Sequence, residues 1–104
     1  MTSPSMACAL REMGLICALG SSADQVWPRL VAGDTSGVTP RSDLVHGETR
    51  MFASVREPLP EIAGALARHA CRNNQLTLAA LAQIQAGVER AIQAHGATRV
   101  GVVM

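Results

Sequence analysis

The side chains able to do chemistry in this chain are three cysteines, three histidines and a few scattered carboxylates, and their spacing decides what each is worth. Cys17 lies between Ile16 and Ala18, with neither a basic neighbour nor a helix start to stabilise a thiolate, so it reads as a small buried hydrophobe. Cys71 is more suggestive, because it precedes Arg72-Asn73-Asn74 at an expected helix start and His69 is two residues away. No third group is available to orient such a pair, and the structural role is favoured there too. Cys8, Cys17 and Cys71 are odd in number and in no metal-ligand spacing, which fits free thiols in a reducing compartment and predicts a cytoplasmic setting.

The histidines divide in the same way. His46 falls in a loop, His69 near one helix end and His95 at a helix C-terminus, where a cationic imidazole complements the helix dipole; their spacing is not that of metal ligands. Asp24, Asp34 and Asp43 occupy cap and loop positions where aspartate serves turn chemistry, and no carboxylate pair forms. Gly14 and Gly20 flank an apolar run without completing either phosphate-binding glycine pattern. Accordingly no residue is assigned a catalytic, cofactor-binding or metal-binding role, and no cofactor is expected.

Composition narrows the partners. The 104 residues carry 9 basic and 8 acidic side chains, a formal net charge of +1, and no run of like charge, which argues against nucleic acid or an anionic membrane surface. All the basic residues are arginines, from which no function follows. No apolar stretch approaches the roughly 20 residues needed to span a bilayer, and no basic residue precedes Arg11 as a secretory signal would require. Of the residues, 48% are hydrophobic but only 2% aromatic, Trp27 and Phe52, so a core must be assembled from small aliphatic side chains. Such a core predicts a marginal domain, one at most, because burial contributes about 25 cal/mol per Å².

The elements that would position these residues follow from periodicity. A polar start, residues 1–5, is expected to be disordered. Met13–Ala18 is an apolar run without alternation, the pattern of a strand covered on both faces. Ser21 or Ser22 caps a helix from Ala23 to Ala32, with Gly33 closing it; Pro28 requires either a kink or a later start. Asp34–Glu48 reads as a long surface loop, Thr49–Val55 as a short strand, and Glu61–His69 as a short helix opened by Pro60. A long amphipathic helix follows from Asn73 to His95, with Leu81, Ile84, Val88 and Ile92 on one face and Gln85, Glu89 and Gln93 on the other. Arg99–Met104 is a buried-strand pattern that stops in mid-element, which predicts a truncated chain. The order strand, helix, loop, strand, helix, helix, strand belongs to the α/β class.

Three segments, in this order, resemble the start of β-ketoacyl-acyl carrier protein synthases. Gly14-Leu15-Ile16-Cys17-Ala18-Leu19-Gly20, with Asp24 to Gly37 after it, is similar to that family's opening strand, glycine turn and first helix. Arg72-Asn73-Asn74-Gln75-Leu76-Thr77-Leu78-Ala79-Ala80-Leu81 resembles the start of its long alanine-rich helix, and Thr98 to Met104 resembles the strand leading into a Gly-Thr/Ser-rich turn. The middle, Val38–Ala70, matches loosely, and the resemblance is greatest to members associated with aryl polyene pigment clusters.

The resemblance implies an incomplete thiolase-like fold, with residues 1–104 as the N-terminal fragment of a synthase domain. It implies a full-length acyltransferase of fatty acid, polyketide or aryl polyene biosynthesis. That enzyme would load an acyl group on a cysteine and condense it with the carbanion from a decarboxylated malonyl-carrier thioester. Its partners would be an acyl carrier protein and a homo- or heterodimer partner. The family's nucleophilic cysteine and two histidines lie beyond this segment, so the chain alone is expected to be inactive and prone to association. Two alternatives stand beside this reading: a non-catalytic partner comparable to a chain-length factor, and an unrelated small α/β interaction module, which would unfold cooperatively and reversibly.

Overall fold

The computed structural model describes residues 4–104, so the start of the segment expected to be disordered lies outside it. Helix α1 spans Ala23–Val31, strand β1 Val38–Val45, strand β2 Glu48–Ala53 and helix α2 Arg72–His95. Single turns of 3₁₀ helix occupy Gly64–His69 and Ala97–Arg99. The α/β class expected from the sequence is the class observed, although several elements differ.

Helix α1 is fixed at both ends by local hydrogen bonds. Ser22 is the N-cap, its hydroxyl accepting from the Gln25 N–H at 3.3 Å, while the Gln25 side-chain carbonyl accepts from the Ser21 N–H at 3.0 Å. At the other end Gly33 N–H reaches Leu30 C=O and Asp34 N–H reaches Arg29 C=O, a Schellman pair that requires the left-handed φ of 67° at Gly33. Pro28 sits inside the helix, which begins at Ala23 as its cap dictates and not after the proline. Val26, 7% exposed, is the buried hydrophobic residue of the described chain.

The expected loop Asp34–Glu48 is instead half of an antiparallel hairpin. Its β1 pairs Val38 with Ala53, Thr39 with Phe52, Pro40 with Met51 and Arg41 with Arg50, and the His46-Gly47 turn closes it. Turn-forming composition concealed the strand. Pro40 is compatible with it because both strands of a two-stranded sheet are edges, where a missing donor costs no ladder bond. Between Arg41 and Val45 the register shifts, β1 carrying Ser42, Asp43 and Leu44 opposite the single residue Thr49.

This bulge brings Asp43 onto the Arg41 guanidinium, with Nε donating at 2.7 Å to one carboxylate oxygen and Nη2 at 2.5 Å to the other. Hydrogen bonding from Arg41 holds the Asp43 carboxyl down at about 2, below its ordinary 3.8. The contribution of the pair is complete above the ordinary value and is lost as pH falls through about 2, the sign expected for a depressed carboxyl. A carbon-detected NMR titration of Asp43 is expected to show a midpoint near 2. In Arg41→Ala the midpoint returns toward 3.8.

Three further sequence expectations are corrected. The first strand, Met13–Ala18, is not a strand; the segment makes a single bridge, Cys17 to Gly20, with backbone bonds of 2.9 and 3.1 Å. The final strand, Arg99–Met104, is also absent: Ala97–Arg99 turns, Val100 N–H closes that turn on Ala97 C=O, and the rest carries no ladder. Both segments have strand sequences and no strand beside them, and a ladder needs two. The helix expected over Glu61–His69 is only the turn Gly64–His69, because Gly64 at φ 64° interrupts the helical path and Leu66, 60% exposed, has nothing to pack on.

The consequence is an open structure. The radius of gyration is 18.5 Å, against about 13 Å for a compact chain of 100 residues. The accessible surface is 8766 Å², whereas a folded monomer of this size exposes about 5,600 Å².

Candidate functional site

Tertiary structure is concentrated along one side of α2. An α-helix repeats every 3.6 residues, so Leu76, Ala80, Gln83, Ile84, Gly87 and Ala91 share one face. Against that face runs the segment Glu12–Ser21. Gln83 binds it at three points: Leu15 N–H donates to Oε1 at 3.1 Å, and Nε2 donates to Leu15 C=O at 2.9 Å and to Ser21 C=O at 2.6 Å. The amide side chain thereby supplies Leu15 with both the acceptor and the donor that a neighbouring strand would have offered. Arg29, from α1, donates to Leu19 C=O at 2.5 Å and ties the first helix to the same segment.

Two close approaches set the spacing. A Cβ on Gly14 would lie 2.0 Å from the Ala80 carbonyl oxygen, and one on Gly87 would lie 1.7 Å from a Glu12 carboxylate oxygen. The Glu12 carboxylate accepts from Arg90 Nη2 at 2.5 Å, crossing Gly87 to do so. Beside this ion pair lies an open groove of about 540 Å³ between the N-terminal segment, α2 and the returning chain, walled by Ala9, Arg11, Ile84, Val88, Ala91 and Val100. His95 reaches the same groove from the last turn of α2. The groove is largely aliphatic with an arginine-carboxylate pair at its rim, a surface suited to packing and not to group transfer.

The residues singled out for their chemistry do not converge. Cys17 is half-buried in its bridge, and Cys8 and Cys71 are exposed. Cys71 caps α2 without a side-chain bond, and its neighbour His69 accepts a hydrogen bond from Arg68 at 3.2 Å. His46 stands in the hairpin turn. Asp24 lies in the first turn of α1, and Asp34 accepts the Ser36 N–H at 2.8 Å, a bond that lowers its carboxyl below the usual value. Among the described residues no group of three or more histidine, cysteine, aspartate or glutamate side chains is placed to hold a metal ion. No helix among them is long and apolar enough to cross a membrane.

The residues that organise this region, Gln83, Glu12, Arg90, Gly14 and Gly87, were not selected by their chemistry. One signal for Gln83 was legible: an amide among Ala80, Ile84 and Gly87 on a helix face otherwise free of polar groups has to find partners once covered.

Comparison with known proteins places this arrangement. No protein-family model matches the chain, and no curated protein does. A chain of the solved structure described as the ketosynthase ApeO in complex with its chain length factor ApeC, from Xenorhabdus doucetiae, matches it with a TM-score of 0.76 and 37% sequence identity. The match covers 82% of this chain and 22% of that one, so the chain spans about a fifth of the length of the protein it resembles. The fold is that of a ketosynthase-like α/β protein over this stretch.

Proposed function

We propose that the chain is the N-terminal portion of a β-ketoacyl-acyl carrier protein synthase-like protein and serves as scaffold, contributing no catalytic residue. The observation that carries this reading is the 37% identity sustained over 82% of the chain together with the shared fold. The complete protein would transfer an acyl group from a carrier thioester to a cysteine thiolate, releasing the carrier thiol. Decarboxylation of a malonyl-carrier thioester would then generate the carbanion that attacks the acyl-cysteine carbonyl, forming a carbon–carbon bond, releasing carbon dioxide and regenerating the thiolate. Such chemistry needs a nucleophile, an oxyanion site and a polarising group in one pocket. The separation of Cys17, Cys71 and the three histidines supports assigning none of them to it. Products of the aryl polyene type, and an acyl carrier protein as the donor, accompany this reading.

A second reading is a non-catalytic partner of the same fold, favoured by the fact that the matched structure contains a chain length factor as well as a ketosynthase. Sequencing the DNA downstream of the Met104 codon separates the two. A Gly-Thr/Ser-rich turn, a cysteine at a tight strand-to-helix turn and two later histidines are expected for the synthase. The same features without the cysteine indicate the partner, and the absence of all of them overturns both. The isolated chain is expected to release no carbon dioxide from a malonyl-carrier thioester.

A further inference from the structure

Helix α2 has more apolar surface than its own chain covers. Beside the face that meets Glu12–Ser21 runs a second stripe, Leu78, Leu81, Val88 and Ile92, each between 38% and 49% exposed, with Gln85 among them and no charged residue. The two together occupy roughly 220° of the helix circumference, where a helix lying on the surface of a finished domain needs little more than 100°. Just beyond the helix, Val102 and Val103 are 86% and 98% exposed and carry no ladder.

The uncovered area has a definite scale. The surface of 8766 Å² exceeds that of a compact monomer of this size by about 3,000 Å². A standard interface buries about 800 Å² per partner, so a second copy docked in that way would cover only part of the excess. The conformation nevertheless matches a stretch of a much longer chain at a TM-score of 0.76, with 78% of that chain left outside the match (100% minus the 22% covered). The open form is therefore the form this stretch has when a larger body of polypeptide stands beside it.

Resting on the ketosynthase-like reading, we propose that this side of α2 and the segment Val100–Met104 form a docking surface for a separate polypeptide, the complementary part of a ketosynthase-like fold. That partner adds a strand beside Val100–Met104, completing its backbone hydrogen bonds, and lays an apolar surface on the Leu78-Leu81-Val88-Ile92 stripe. With a net charge of +1 and no charge on the stripe, recognition is by apolar burial and strand pairing and not by long-range attraction.

The test is co-expression of the tagged chain with the part of ApeO that the match leaves uncovered, and separately with that of ApeC, followed by size-exclusion chromatography with light scattering. A 1:1 complex with either part is expected. The double variant L81E/V88E is expected to lose capture by about tenfold or more, since charges buried without counter-charges oppose binding. Control M51E, on the hairpin, retains it, and far-UV circular dichroism confirms helix content in both variants. A chain that stays alone with both parts, or that forms only homo-oligomers, overturns the proposal, as does capture that L81E/V88E leaves intact.

A chimera in which this chain replaces the matched stretch of ApeO keeps the two readings apart. An active chimera without capture in trans sinks the docking proposal and leaves the synthase reading standing. Capture together with an inactive chimera supports docking and counts against the synthase reading.

Discussion

Gly14→Ala is expected to detach the whole Glu12–Ser21 segment from α2. The added methyl would sit 2.0 Å from the Ala80 carbonyl oxygen and 2.8 Å from its carbon, both backbone atoms of a continuous helix. A backbone carbonyl in mid-helix cannot step aside without losing its own hydrogen bond, so the segment has to move instead. Overpacking of this kind costs about 1–3 kcal/mol, and the upper end applies because neither party is a flexible side chain. Urea denaturation should show the loss, and hydrogen exchange should show the Leu15 amide unprotected. Gly87→Ala is the matched contrast. There the clash is with the far end of Glu12, which can pivot away; giving up an exposed ion pair costs at most about 1 kcal/mol, and alanine returns about 1 kcal/mol of helix propensity. Equal destabilisation by the two variants would refute the assignment of the Gly14 contact as the rigid one.

Gln83→Met is expected to produce the second large effect. Methionine keeps the length, volume and helix propensity of the side chain but removes its donor and acceptor. Three hydrogen bonds end at that amide, two of them on Leu15. Each contributes about 0.5–1.5 kcal/mol net, and the site is partly open to water, so a loss of about 1–3 kcal/mol is expected. The checking measurement is site-resolved hydrogen exchange: Leu15 should lose protection while amides in the middle of α2 keep theirs. Unchanged protection at Leu15 would mean that packing, and not Gln83, holds the segment.

What was legible in the sequence depended on whether its cause was local. Helix α2 was readable almost to the residue because periodicity, alanine content and Gly96 all act within the helix. The ends of α1 were readable for the same reason, Ser22 and Gly33 being short-range signals. Strands β1 and Met13–Ala18 went wrong in opposite directions. Thr39-Pro40-Arg41-Ser42-Asp43 has the composition of a loop, but β2 lies beside it and pairs with it. Met13–Ala18 and Val100–Met104 have the composition of strands, but nothing described lies beside either. A strand is a property of two segments, and only one of each pair could be read. The α/β class and the resemblance to condensing enzymes survived because they rest on the order of segments. The contacts of Gln83 and Gly14 join residues more than sixty positions apart, and no local pattern announces them.

Those separations carry a kinetic consequence. The hairpin and α2 consist of contacts between near neighbours in sequence, whereas Leu15–Gln83 and Glu12–Arg90 close loops of 68 and 78 residues. Loop closure is entropically unfavourable before any contact forms, and here the closing contacts are a few hydrogen bonds and one ion pair at the surface. The helix and the hairpin therefore form first, and the N-terminal segment is the last part of the structure to arrive and the first to leave. The chain behaves as a preformed helix and hairpin with a latch, and the hydrogen-exchange order of its amides follows that hierarchy.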